Sequence, residues 1–216
     1  MLYFVFLFVA TLRIQASYVE LSRMRSLAAG QSLRDPLTGL PNRLALVEHL
    51  RAAISRARRS HNQVVVGYLD LDDFKRVNDK FGHAAGDHLM MEVASRWRSQ
   101  LREGEVIARM GGDEFVFVIE GIARGSASLH VARAAERLKR ELETPIAVNN
   151  SAALQVGMSM GVACYPSDGE DADRLLRHAD SLMYELKQSK GTRAHWWKLT
   201  AAENTMEPDA KRVLAL

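Results

Sequence analysis

Two acidic clusters in this chain have the residue types for metal-assisted chemistry. The first is Leu69-Asp70-Leu71-Asp72-Asp73-Phe74-Lys75; the second is Asp113-Glu114, directly after Gly111-Gly112. Asp70 follows an apolar run that reads as a buried strand, which delivers it to a sheet end, where α/β proteins gather their sites. Carboxylates from two adjacent strand ends can share a hard divalent cation through oxygen. Mg²⁺ (or Mn²⁺) suits such a set when phosphates complete its shell. Gly-Gly before paired acids also lets backbone approach a ligand closely. For Asp72 a helix N-cap is preferred to a metal role, and the plainer alternative for Asp113-Glu114 is a solvated hairpin turn.

Further polar residues follow the first cluster. Lys75 can face phosphate as a point charge. Asn78 offers a donor and an acceptor, and Asp87 offers acceptors. Guanine presents N1–H and N2–H₂ donors beside its O6 and N7 acceptors, so such a pair can select it. Each residue also has a structural alternative: Asn78 ending a short helix, Asp87 capping the next. His83 is expected to be a packed histidine and not a ligand.

The elements that must position these groups alternate along the chain. Asp35-Pro36-Leu37-Thr38-Gly39-Leu40-Pro41-Asn42-Arg43 reads as a turn, with Asn42 capping the helix that follows. That helix is expected from Arg43 to Arg59, with Leu44, Val47, Leu50 and Ile54 on one face. Val64 to Leu69 is a buried strand. Leu89, Met90, Val93, Trp97 and Leu101 space a second helix. Val106–Arg109 and Phe115–Ile119 flank a hairpin turn over Met110–Glu114. Leu129, Ala132, Ala135, Leu138 and Leu142 mark a third helix. Leu154, Val156, Met158, Met160 and Val162 alternate with small or polar residues, which predicts a strand with one core face. Ala172, Leu175, Leu176, Ala179, Leu182, Met183 and Leu186 mark the last large helix, and Ala194 to Leu199 is placed to close the sheet. The sum is one α/β domain with a mixed sheet.

Composition bounds the rest. Of 216 residues, 47% are hydrophobic and 25% charged, a foldable globular balance that excludes a disordered chain. The single cysteine, Cys164, excludes a disulfide framework and a multi-cysteine zinc site. A net charge of +3 gives no argument for nucleic acid, and none is expected as a partner.

The three segments D-P-L-T-G-L-P-N-R, D-L-D-D-F-K-R-V-N-D-K-F-G-H-A-A-G-D and A-R-M-G-G-D-E-F, in this order and spacing, resemble the GGDEF domain of diguanylate cyclases. The resemblance covers about Leu33 to Trp197. It implies a palm-like α/β (α+β) fold, a mixed central sheet flanked by helices, akin to class III nucleotidyl cyclases. It also implies a reaction: two GTP molecules condense to cyclic di-GMP with release of two pyrophosphates, each GTP held by one domain of a facing homodimer. Matched residue by residue, Asp70 and Asp113 are the metal-ligating acids, with the Leu71 carbonyl as a further ligand. Glu114 is the second acid of the motif. Asn78 and Asp87 are the guanine readers. Lys75 and Lys187 contact phosphate, the amides of Asp73 and Phe74 form a phosphate-cradling turn, and Gly111 and Gly112 line the substrate.

The chain departs from the family in two places. Lys190 takes the position of an expected glycine after Lys187, which leaves the choice between Lys190 and Arg193 as a phosphate contact open. The family's inhibitory R-x-x-D reads Arg102-Glu103-Gly104-Glu105 here, so feedback inhibition is expected to be weak or absent. Outside the domain (35–199), Met1–Leu12 is apolar and too short to span a bilayer alone. The arginines after it suit the trailing end of a transmembrane helix leaving into the cytoplasm, attached to the bacterial inner membrane. Residues 13–34 read as a connecting signalling helix. The stretch 200–216 resembles the linker into an EAL phosphodiesterase domain, with an ordinary terminal helix as the equal alternative.

Overall fold

The computed structural model describes residues 33–149, 152–188 and 196–199. The apolar segment 1–12, the connecting helix up to residue 32, the tail from residue 200, and Lys190 and Arg193 lie outside the described residues. Among the described residues, no helix is long and apolar enough to cross a membrane.

Among the described residues, five helices and seven strands follow in the order α1 (Arg43–Ser60), β1 (Gln63–Leu71), α2 (Phe74–Phe81), α3 (His83–Ser99), β2 (Glu105–Gly111), β3 (Glu114–Ile122), α4 (Ala127–Glu143), β4 (Ile146–Asn149), β5 (Ala152–Leu154), β6 (Met158–Tyr165), α5 (Ala172–Gln188) and β7 (Trp197–Leu199). The main sheet has the order β2-β3-β1-β6-β7, and β4 and β5 form a separate ribbon. All main-sheet pairs are antiparallel except β6 with β7, so the sheet is mixed.

Helices cover both faces. On one, α3 and α4 pack on Val65, Leu69, Phe115 and Phe117; on the other, α1 and α5 pack on Val64, Val66, Val116 and Val118. The period-2 alternation of β1 and β3 feeds both clusters, as expected for strands buried on two sides. Trp97 ties the first face together: its ring meets Phe115 edge-on at 5.0 Å, and its Nε1–H donates to the Leu138 carbonyl at 3.0 Å.

Asn42 caps α1 as expected, its Oδ1 accepting from the Ala45 N–H at 3.0 Å. The buried stripe of α1 differs from the expected one. It runs Leu46, Leu50, Ala53, Ile54 and Ala57, while Leu44 is exposed. The helix rests on its alanines, which turns the stripe away from Leu44. In α4, likewise, Leu129 is exposed, and Val131 and Ala134 are buried instead.

The strand expected from Leu154 to Val162 is two elements. Leu154 ends β5, and β6 begins at Met158. Nor does β6 have a single core face, since every residue in it is buried. Its small positions Ser159, Gly161 and Ala163 are small because a helix lies on them: a Cβ on Gly161 would stand 2.1 Å from the Ala179 carbonyl oxygen of α5.

Candidate active site at the ends of β1 and the β2–β3 hairpin

Asp70 is the penultimate residue of β1 rather than the residue after it. On the central strand it pairs with Glu114 of β3 on one side and Ser159 of β6 on the other. By strand alternation Tyr68, Asp70 and Glu114 share the face covered by α5. Asp70 is only 4% exposed, and the Lys187 ammonium near the end of α5 stands 2.5 Å from its Oδ1. Burial pushes the Asp70 carboxyl up to about 6; the nearby Asp113 and Glu114 carboxylates push the same way, and Lys187 opposes them. The expected phosphate contact Lys187 is thus an ion-pair partner of the buried acid.

Gly112 and Asp113 form the two-residue turn between β2 and β3, with Gly111 and Glu114 paired at its base. The Leu71 N–H donates to the Asp113 carbonyl at 3.2 Å, which fastens the turn to the end of β1. Tyr68, absent from the sequence-based site, donates its hydroxyl to Glu114 Oε2 at 2.9 Å. Burial and the Glu114 carboxylate both raise the Tyr68 phenol, so it stays protonated as a donor. Its position two residues before Asp70 was the available signal.

Asp72 is not an N-cap. It accepts from the Ser159 hydroxyl at 2.8 Å, and its N–H donates to the Gly157 carbonyl at 2.8 Å. The cap position of α2 belongs to Asp73, in the left-handed region at φ 61° and with no side-chain capping bond. Phe74 and Lys75 open α2, with Lys75 exposed. Asn78 lies within α2, its side chain against Gly86 of α3, and Asp87 is the next residue. Asn78 therefore does not end its helix, and Asp87 does not cap the following one, whose cap position is Gly82. The exposed His83 begins α3 and is not packed.

Arg109 links this site to the entry turn. It donates from Nη1 to Asp35 Oδ1 at 3.0 Å and from Nη2 and Nε to the Gly112 carbonyl at 2.8 and 3.1 Å. Burial alone would raise the Asp35 carboxyl, but bonds from Thr38 and the Arg109 guanidinium outweigh it and hold it below the usual range. Elsewhere, Glu105 Oε2 accepts from the Arg102 backbone N–H at 2.8 Å and pairs with Arg137 at 2.5 Å.

The donors at the strand ends are all oxygens, which suits a hard cation. Among the described residues, no group of three or more His, Cys, Asp or Glu side chains gathers to hold a metal by itself. Such a set could hold a hard divalent cation only with further oxygen ligands from outside the protein completing its shell.

Residues 32–193 match the family described as "Diguanylate cyclase, GGDEF domain", and the chain belongs to that family. It is 37% identical over 166 residues to diguanylate cyclase TpbB of Pseudomonas aeruginosa, covering 76% of this chain and 38% of that protein. It is 42% identical over 156 residues to the bifunctional diguanylate cyclase/cyclic di-GMP phosphodiesterase MucR of the same species, covering 72% of this chain and 22% of that one. A solved sensory box/GGDEF family protein from Caulobacter crescentus superposes with a TM-score of 0.68 at 41% identity, covering 73% of this chain and 99% of that one. The palm-like fold expected from the sequence is the fold of this domain. The chain spans well under half the length of these two curated relatives.

Proposed function

We propose that this domain is a diguanylate cyclase that condenses two GTP into cyclic di-GMP. The observation that carries it is the pairing of buried Asp70 with Glu114 across β1 and β3, with the Asp113 turn fastened to Leu71. Mg²⁺ (or Mn²⁺) held by Asp70, Asp113 and the Leu71 carbonyl would favour deprotonation of a ribose 3′-hydroxyl and offset charge on the α-phosphate. Glu114, steadied by Tyr68, keeps a second acceptor beside that site. The Asp73–Phe74 turn and Lys75 face the phosphates, Gly111 and Gly112 leave the substrate room, and Asn78 with Asp87 read guanine.

Lys75, Asp87, Gly111 and Gly112 are exposed, so this edge is open. A second GTP must come from a facing copy, which makes a homodimer part of the reaction through positioning. The test is product formation from GTP and Mg²⁺ across a range of protein concentrations. Turnover per protomer should rise with concentration until the dimer is saturated; a constant value down to high dilution would contradict the two-copy reading.

Base selection has its own test. Asn78→Ala is expected to lower the kcat/KM preference for GTP over ATP by about tenfold or more, since a lost base-edge partner removes discrimination. An unchanged preference would assign guanine to other residues.

Product inhibition through Arg102 is expected to be weak, because the Glu105 carboxylate is already held by Arg137 and the Arg102 backbone. Submicromolar inhibition by cyclic di-GMP that vanishes in Arg102→Ala would contradict this.

A second reading is a catalytically weak GTP-binding module that regulates an attached EAL phosphodiesterase. The Lys187–Asp70 ion pair favours it, since an ammonium there competes with a metal for the buried acid. GTP binding without product is its mark. We place the domain in the cytoplasm, attached to the inner membrane through the segment preceding it, on the arginines that follow Leu12. Membrane fractionation of the whole protein tests this, and recovery in the soluble fraction would refute it.

A further inference from the structure

The contact between α2 and α3 contains a feature that the reaction as described does not use. Gly86 lies in the interior of α3, and its missing side chain leaves a slot. A Cβ built there would stand 1.9 Å from Asn78 Oδ1, 3.0 Å from Asn78 Cγ and 3.2 Å from Phe74 Cζ. The carboxamide oxygen of Asn78 occupies the space that any other residue at position 86 would fill. That oxygen is buried and accepts no hydrogen bond.

We infer that Gly86 sets nucleotide specificity by leaving the space that the Asn78 carboxamide occupies, so that any side chain at position 86 would displace Asn78 from its place at the base. This rests on the reading of Asn78 as a base contact and adds what positions it. A side chain at position 86 would collide with the Asn78 carboxamide and shift it from the place it holds against α3, while the neighbouring Asp87 supplies acceptors for guanine's donors. Gly86 touches no substrate; it is a positioning residue acting through Asn78.

Gly86→Ala separates this from a structural role. Alanine is the better residue in a helix interior, so α3 is expected to form. The group that must move is the end of the Asn78 side chain and not backbone. The measurement is the ratio of GTP to ATP dissociation constants, read by equilibrium binding beside kcat/KM, for wild type, Gly86→Ala, Asn78→Ala and the double variant. Both single variants are expected to reduce the preference for GTP by about tenfold or more. The double variant is expected to lose no more than Asn78→Ala alone, because the two changes act through one group. Loss of preference in Asn78→Ala with a wild-type ratio in Gly86→Ala would overturn the inference and leave the reading of Asn78 standing. An unchanged ratio in Asn78→Ala would remove that reading and the inference with it. Should Gly86→Ala not fold, the double variant, which lacks the atom the new methyl meets, is expected to fold. Its failure to do so would place the clash elsewhere and also overturn the inference.

Discussion

Asp113→Ala is expected to reduce cyclic di-GMP formation by about a hundredfold to a thousandfold or more, the scale on which removing one preorganised electrostatic group from an active site acts. The fold should be untouched. Asp113 sits in the two-residue turn, and the bond that fastens the turn uses its backbone carbonyl, which alanine keeps. Its carboxylate also contributes to pushing the buried Asp70 upward, a repulsion between like charges in the folded state. Removing it should leave the unfolding midpoint unchanged or slightly raised, the usual direction when a functional charge is deleted. The pair of measurements is turnover and thermal midpoint on the same preparation. Activity within tenfold of wild type would move the site away from the hairpin. Lost activity with a large fall in midpoint would mean that the turn was structural.

Gly161→Val has the largest expected effect on stability. Gly161 lies in β6 under α5, and a Cβ there would stand 2.1 Å from the Ala179 carbonyl oxygen, 2.3 Å from the Met183 nitrogen and 2.9 Å from the Leu182 carbonyl carbon. All three are backbone atoms of one helix, so no rotamer change relieves the clash and α5 must lift from the sheet. Overpacking of this kind costs about 1–3 kcal/mol, occasionally more, and backbone contacts put it at the upper end. For a domain of this size that is a fall of roughly 5–10 °C in the unfolding midpoint. Lys187 rides on α5, so its contact with Asp70 should be disturbed as well. The check is a urea titration, in which the midpoint should fall with little change in slope. A variant within about 0.5 kcal/mol of wild type would show that α5 does not rest on Gly161 as described.

These two sites differ in how far the sequence exposes them. The placement of Asp70, Asp113 and Glu114 is legible because strand ends and a Gly-Gly hairpin are local features. The stripe of α5 is legible residue for residue, since all seven expected positions are buried. The helix-side burial of Ser159, Gly161 and Ala163 is not legible, because a small residue reads the same whether it faces water or a helix backbone. The roles of Asp72 and Tyr68 are hidden for a related reason. Asp72 bonds to Ser159, 87 positions away, and Tyr68 bonds to Glu114, 46 positions away. Periodicity says which face a residue takes; it does not say what stands opposite. Arg109 shows both sides: the motif that contains it is plain in the sequence, but its bridge between Asp35 and Gly112 exists only once two distant turns meet.

The central claim is that the acids at the ends of β1 and the hairpin form a working cyclase centre and not a GTP-sensing site. The most direct measurement is the product made by a dimer-competent preparation incubated with GTP and Mg²⁺, separated and quantified beside a cyclase of known activity and the Asp113→Ala variant. The predicted result is cyclic di-GMP with two pyrophosphates released for each molecule formed, and about a hundredfold less or lower still from the variant. Saturable GTP binding with no cyclic di-GMP, under conditions in which the reference cyclase turns over, would contradict it.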